Sequence, residues 1–347
     1  MYKLEIFTDQ MEFADAALIA EQTVELDYLT FDAFTLLSTP VKCQKGYFVH
    51  VTAGGSLVCD GVVSDVQPGT GTVSISVRPL QALFDCEVFS TPISDVVTWL
   101  EEQIREQFVS NADALQNRPV MVNQTVRTAY PIAVTDGDTV KLLDIMATAL
   151  TTYGIVCDCY LDMETLKVAV DIYQPGDEMT IESDLKNVLE KSVTLGDSYG
   201  AANKIVVRKV VEDPDTGAVT YPEQKVYYLH PDGTVDERNA DRITPVFWTL
   251  KDVSDSDTWE QDALAAAVEA LTPQQFDNEI VLTYAEEDNL VYPATMLIGT
   301  RATIYVDGTA YSSILTGKTI GQGTISLTFG QVRAALTKRL ILERRAK

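Results

Sequence analysis

Histidine, cysteine and basic side chains are all scarce in this 347-residue chain, and each shortage removes a class of function. The two histidines are His50, in the run YFVHVT, and His230, which opens HPDG. A three-histidine metal site or a Ser-His-Asp triad cannot be built from them alone. The five cysteines, Cys43, Cys59, Cys86, Cys157 and Cys159, are odd in number and scattered, which argues against a secreted disulfide framework. Cys157 and Cys159 are one residue apart, not the two of a zinc knuckle or redox pair. In a strand they point to one face and read as small buried side chains. Lys and Arg total 26 against 51 Asp and Glu, a net charge of −25. Docking on DNA, RNA or an anionic membrane is disfavoured, because such binding needs phosphate neutralisation. An acidic wall does suit a passage through which DNA slides without sticking. No apolar run reaches the roughly 18 residues of a membrane span. The opening MYKLEIFTDQMEF lacks the basic head and apolar stretch of a signal peptide.

With 46% hydrophobic and 22% charged residues the composition is that of a globular protein, and the length predicts two or three domains. Residues 1–88 read as β: GYFVHVTAGGSLVCDGVVSDV alternates or is β-branched between turns, and TVSISV follows the turn Gln67-Pro68-Gly69-Thr70-Gly71. These are the hairpins of a small barrel or sandwich. Residues 89–178 read as an α+β domain. Thr91 with Pro92 is expected to start a helix whose apolar face carries Ile93, Val96, Val97, Leu100, Ile104 and Phe108. Asp138 is expected to cap a second helix that ends at Gly154, and IVCDCYLD with LKVAVDIY makes a hairpin. Residues 179–250 hold β hairpins that belong to a second barrel or to an outer domain. Residues 251–290 hold a helical insertion from Ser256 to Leu271, residues 291–337 a second β-barrel module, and 338–347 a basic tail. The fold class is α+β, mainly β: two related small β-barrel modules with α/β domains between and around them.

The pairing of modules rests on an internal echo. Residues 46–84, GYFVHVTAGGSLVCDGVVSDVQPGTGTVSISVRPLQALF, follow the same pattern as 299–336, GTRATIYVDGTAYSSILTGKTIGQGTISLTFGQVRAAL. Each has an alternating strand, a turn (Gly54-Gly55; Asp307-Gly308), a second strand, a Gly-rich turn and a closing strand, TVSISV against TISLTF. Three such chains would present six similar modules in a ring, a physical device for joining threefold to sixfold symmetry.

Catalytic, cofactor-binding and metal-ligating residues are not expected. Glu101-Glu102, Asp136-Gly137-Asp138, Asp252 to Asp257 and Glu286-Glu287-Asp288 read as solvated faces, caps or loops rather than as hydrolytic carboxylate pairs. The Asp252–Asp257 run lacks the glycine and terminal glutamate of a calcium loop, and capping before Thr258-Trp259 explains it. Gly317-Lys318-Thr319 ends like a phosphate loop, but the leading glycine is missing.

Three stretches carry a resemblance: GGSLVCDGVVSDVQPGTGTVSISVRPLQALFD, TVKLLDIMATALTTYGIVCDCYLDMETLKVAVDIY and VDGTAYSSILTGKTIGQGTISLTFGQVRAALTKRL. In order and spacing they resemble the baseplate hub proteins of tailed bacteriophages, both the hub of contractile tails and the N-terminal hub region of tail-associated lysins. The resemblance implies a homotrimer at the virion tail tip whose duplicated barrels form a pseudo-sixfold ring. That ring adapts a hexameric tail tube to a trimeric tip and passes DNA without specific binding. It also implies a distal tail or tail-tube protein, a tape-measure protein and a tip spike, fibre or lysin as partners, with no cofactor and no membrane anchor. Many relatives continue into a fibre or hydrolase. This sequence ends at Lys347, so those activities are expected on other proteins. The expected interface residues are Thr72, Val73, Ser74, Ile75, Ser76 and Val77, together with Thr324, Ile325, Ser326, Leu327, Thr328 and Phe329. The basic tail, with Arg333, Lys338 and Arg339, is expected to dock on an acidic neighbour. The alternative is a receptor- or carbohydrate-binding β-module protein, with Tyr227, Tyr228, Phe247 and Trp248 as contact candidates.

Overall fold

The computed structural model describes residues 2–330 except 133, 135–136, 138, 177, 195–201, 215, 231–233, 241–247, 272–278, 287, 289–292, 294–295 and 322. It opens with six antiparallel strands: β1 (Tyr2–Phe7), β2 (Phe13–Asp27), β3 (Phe34–Ser38), β4 (Phe48–Ala53), β5 (Ser56–Pro68) and β6 (Val73–Pro79). Their order, β1-β4-β5-β6-β3-β2, closes on itself because β2 also pairs with β1, so the sheet is a closed barrel. Alternation decides which side chains fill it. Leu4, Ile6, Leu36, Val49, Val51, Ile75 and Val77 are buried inside, each worth about 1.5–3 kcal/mol of transfer free energy.

The next unit holds β7 (Glu87–Phe89), α1 (Val96–Phe108), β8 (Val120–Gln124), β9 (Thr139–Lys141), α2 (Leu142–Tyr153), β10 (Val156–Asp162) and β11 (Lys167–Tyr173). β10 and β11 are the hairpin read from sequence, and β8 joins β11 in parallel. Helix α1 starts later than Thr91-Pro92 implies. Asp95 is the cap, its carboxylate accepting from Val97 N, and Ile93 is drawn instead into a bridge with Ile132. The segment before α2 is the short strand β9, paired with β7, so Lys141 sits at the cap position; Asp138 lies outside the described residues. Gly154 ends α2 at φ 66°, the left-handed conformation expected of it. Cys157 and Cys159 are both buried on the inner side of β10. The core of this unit is continuous with the first barrel, since Phe7, Tyr28 and Phe48 pack in one cluster with α1 and α2, and Ile314, from a later strand, joins the same cluster.

Strands β12 (Glu178–Glu182) and β13 (Val188–Thr194) come next, then β14 (Lys204–Glu212), β15 (Val219–Thr220), β16 (Gln224–Leu229), β17 (Val235–Asp236), β18 (Trp248–Ser254) and α3 (Trp259–Leu271). β14 to β18 form their own sheet, covered on one side by α3 through Trp259, Ala263, Ala267 and Leu271 against Ile205, Val207, Tyr227 and Leu229. The chain then returns through β19 (Glu279–Ala285), β20 (Arg301–Val306), β21 (Thr309–Gly321) and β22 (Thr324–Gly330). With β12 and β13 these form a second six-stranded sheet, ordered β12-β20-β21-β22-β19-β13. The segment 251–290, expected as a helical insertion, thus divides. Its helix belongs to the β14–β18 unit, and β19 pairs with β22 and β13.

Candidate assembly surface

The two six-stranded modules share several irregularities, not only their strand count. Gly46, at φ 88°, donates to Val63 O, and Val63 N donates to Tyr47 O. Gly299, at φ 93°, donates to Leu315 O, and Leu315 N donates to Thr300 O. The turns Gly54-Gly55 and Asp307-Gly308 hold positive φ at both positions, as a tight hairpin of this twist requires. β5 is irregular at Ser64 and β21 at Thr316. β2 and β13 are both irregular one residue before a glutamate, Glu21 and Glu190. In these registers Thr72–Val77 falls on Thr324–Phe329, residue for residue. One further match lies outside the closing hairpins. EQTVEL at 21–26 and EKSVTL at 190–195 follow the two bulges. The modules differ in two places: β5 carries an extra residue, Val58, against β4 where the β20–β21 pair is regular, and β1 runs antiparallel to β4, whereas β12 runs parallel to β20.

A seam fuses the modules. The first half of β2 pairs with β1, and its last four residues pair with β21: Val24 with Ile320, Glu25 with Thr319, Leu26 with Lys318, Asp27 with Gly317. Tyr28 N extends the ladder to Thr316 O at 2.9 Å. A Cβ on Gly317 would stand 3.3 Å from Leu26 O and from Thr328 Cβ, so glycine suits this close approach. Lys318 is buried at the seam, where its Nζ donates to Met296 O at 3.0 Å. Burial lowers its pKa to about 8.

Opposite the core, the same strands present a polar wall. Glu190, Thr283, Ser326, Thr319 and Glu25 stand on successive rungs from β13 across the seam to β2, with Thr283 Oγ1 and Ser326 Oγ 2.9 Å apart. Thr23, Thr35, Ser76 and Asp65 continue it across the first module. These two rows hold hydroxyls and carboxylates and no lysine or arginine.

The expected interface strands occupy the middle of this sheet. β6 is paired by β5 and β3, and β22 by β21 and β19, so both edges of each are used within the chain. Val73, Ile75, Val77, Ile325, Leu327 and Phe329 are core, and Thr328 is buried as well. Ser74, Ser76, Thr324 and Ser326 are half-buried on the wall side, and so is Thr72 in the turn before β6. Arg333, Lys338 and Arg339 lie outside the described residues.

The first barrel meets β10 through buried polar contacts. Asp60 takes His50 Nδ1 at 2.7 Å on one carboxylate oxygen and accepts from Leu161 N at 2.8 Å on the other. The Asp60 bond, opposed by partial burial, holds the His50 pKa above its ordinary value. Asp158 faces Asp171 across the hairpin and lies near Asp60. Burial first, then the Asp171 charge, raises its pKa to about 6. Cys157 N donates to Tyr28 OH at 2.8 Å.

Two of the acidic runs are tied into the structure, while Asp136, Asp138 and Glu287 lie outside the described residues. Glu101 pairs with Arg105, Asp252 grips Arg208 at 2.8 and 2.9 Å, Asp255 pairs with Lys209, and Asp262 accepts from Ser256 and Thr258 at the start of α3. His230 contacts Asp236 at 2.9 Å. Among the described residues, no three His, Cys, Asp or Glu side chains gather closely enough to hold a metal. Tyr227 is core, Tyr228 half-buried and Trp248 exposed; Phe247 lies outside the described residues.

No protein-family model matches the sequence, and no curated protein matches it. Solved structures do match. A 43 kDa tail protein of prophage MuSo2 from Shewanella oneidensis has a TM-score of 0.54 at 14% identity, over 96% of this chain and 99% of that one. A tail protein from Neisseria meningitidis MC58 has a TM-score of 0.51 at 14% identity, over 95% and 96%. Prophage tail protein gp18 from Listeria monocytogenes EGD-e has a TM-score of 0.51 at 10% identity, over 99% of both chains. Along nearly its whole length, therefore, this chain has the fold of phage tail proteins, mainly β around a closed six-stranded barrel.

Proposed function

We propose that the chain is a structural component of a phage or phage-like tail, the hub of its baseplate, which works by geometry rather than by catalysis. Three copies form a ring of six similar modules at the tail tip, matching a sixfold tube above and a threefold tip below. The observation that carries this reading is the duplication itself: two modules with matching bulges at Ser64 and Thr316 and before Glu21 and Glu190, and matching turns, held side by side by strand pairing at the seam. The hydroxyl- and carboxylate-bearing wall faces the channel. With no cation in the two rungs described and a chain charge of −25, it repels the phosphate backbone and lets DNA pass. A tape-measure protein occupies that channel before DNA does. A distal tail or tail-tube protein abuts one end, and a spike, fibre or lysin the other. The basic segment containing Arg333, Lys338 and Arg339 docks on an acidic neighbour.

Native mass measurement of the purified chain, alone and with tail-tube or distal-tail protein, tests this. A trimer, or trimeric assembly onto those partners, is the expected result. A monomer at every concentration that binds neither partner overturns it. A receptor- or carbohydrate-binding role has one observation in its favour: Trp248, 64% exposed, and Leu250, 42% exposed, stand on one face of β18. Glycan binding by the isolated chain, lost in Trp248→Ala, would favour that role.

A further inference from the structure

The seam inside the chain has a counterpart that one copy cannot complete. Under the module correspondence, β2 answers to β13 and β21 to β5. The intramolecular joint uses the end of β2 from the first module and the second half of β21 from the second. The reciprocal joint would use the end of β13 and the second half of β5. These two lie at opposite ends of an eight-stranded run, β5-β6-β3-β2-β21-β22-β19-β13, and do not pair with each other within one chain.

Both edges stand open. From Asp65 to Pro68, β5 pairs with β6 on one side, and among the described residues no strand pairs with its other side. β13 pairs with β19 alone among the described residues, and Leu189, Glu190, Lys191, Ser192 and Thr194 are exposed. An open edge of this kind is a template for another strand. Here the occupant is indicated by the chain's own example, since the equivalent edges already pair at β2 and β21.

We propose that β13 of one copy pairs antiparallel with the tail of β5 of the next, with Val193 opposite Pro68 and Thr194 opposite Gln67. The register is copied from Val24 opposite Ile320 and Glu25 opposite Thr319. The contact is head-to-tail, so it propagates until a ring closes. Pro68 makes this joint the weaker of the two. It stands where Ile320 stands in the internal seam, at a position whose backbone faces the partner strand, and proline has no N–H to donate there. Each copy therefore folds with its internal seam complete and meets its neighbours through a ladder one hydrogen bond poorer. This inference rests on the ring reading above and specifies the surface that closes the ring.

The test is a disulfide. The Thr194–Gln67 pair corresponds to a rung lying between the hydrogen-bonded rungs at Val24 and Leu26, where antiparallel Cα atoms approach to about 4.5 Å, within disulfide reach. Both side chains are exposed, so substitution leaves the core intact. The oxidised double variant Gln67→Cys with Thr194→Cys is expected to run as covalent dimer and trimer on a non-reducing gel. Each single variant alone should give none, and the two single variants mixed should give dimer only. A chain that is trimeric by mass but forms no such disulfide overturns the proposed seam and leaves the ring reading standing. A chain that is monomeric throughout and forms no disulfide overturns both. Disulfide formation by one single variant alone shows a twofold contact and overturns the head-to-tail register. Pro68→Ile is expected to raise the assembled fraction at a given concentration several-fold. An unchanged or lower fraction overturns the role given to Pro68.

Discussion

Ser64 and Thr316 occupy the same bulge in two different modules, and each turns its hydroxyl to the strand beside it: Ser64 Oγ donates to Ser76 O at 3.1 Å, and Thr316 Oγ1 donates to Gly330 O at 2.5 Å with Thr328 O, the equivalent of Ser76 O, 3.3 Å away. Each hydroxyl ties the extra residue of a bulged strand to the strand beside it, where the backbone ladder is interrupted. Thr316 is 3% exposed, so the backbone acceptor that loses this hydroxyl finds no water in its place. Ser64→Ala is expected to lower stability by about 1 kcal/mol and Thr316→Val by about 1–2 kcal/mol. Denaturant midpoints at unchanged slope measure both. Equal, negligible effects would show that the bulges are held by backbone alone.

Gly61 has no such tolerance. A Cβ there would stand 2.4 Å from Val77 Cγ1 and 2.6 Å from Arg78 O, and the carbonyl belongs to a paired strand that cannot step aside. Gly61→Ala is expected to cost about 1–3 kcal/mol or more through overpacking. Its counterpart Ser313 already carries a side chain, so Ser313→Ala is expected to be milder. Thermal unfolding of the two variants side by side tests the asymmetry.

The joint between the first barrel and β10 titrates in one direction. The raised pKa of His50 contributes stability that is full below its ordinary value of 6.5 and is lost as pH rises through its folded value. Asp158, raised from 3.8 to about 6, takes up a proton more readily folded than unfolded, so stability is gained as pH falls through 6. Both effects make the joint firmer in mild acid. The thermal midpoint is expected to be higher near pH 5.5 than near pH 8, and Asp158→Asn is expected to shrink that difference by raising the midpoint near pH 8. A midpoint that falls on acidification from 8 to 5.5 in wild type, with no change in Asp158→Asn, would contradict this assignment.

Lys318 gives the opposite slope. Its pKa falls from 10.5 to about 8, so the folded chain holds fewer protons than the unfolded chain between those values, and stability rises with pH across that window. Lys318→Met should therefore be more stable than wild type near pH 7, by about 3 kcal/mol before the unpaired Met296 carbonyl is set against it. Wild type is expected to close the gap as pH approaches 10. A gap constant with pH would mean that the ammonium is better solvated than its burial implies.

Much of the β architecture is legible in local pattern, because alternation and turn chemistry act over a few residues. TVSISV and TISLTF, the glycine turns, the hairpin of β10 and β11, and the cap at Gly154 all read correctly for that reason. The start of α1 does not. Thr91 and Pro92 satisfy the local rules for a helix start, but a bridge from Ile93 to Ile132, distant in sequence, holds the backbone extended until Asp95. The polar wall was half visible: TVSISV and TISLTF show serine and threonine alternating with apolar residues, but nothing local says that both strands are flanked on each side and cannot offer an edge. The match of EQTVEL with EKSVTL is present in the sequence and is hidden by its distance from the stronger echo.

The sequence by itself determined that the chain repeats a β-module and where its strands turn, since those properties depend on side-chain period and on residues that accept positive φ. Only the tertiary structure decided how β2 divides its length between the first barrel and the second six-stranded sheet, that Lys318 and Gly317 lie on the joint, and which edges remain open. Those outcomes depend on which distant strands share hydrogen bonds, and a backbone N–H carries no mark of its partner in the residue that bears it.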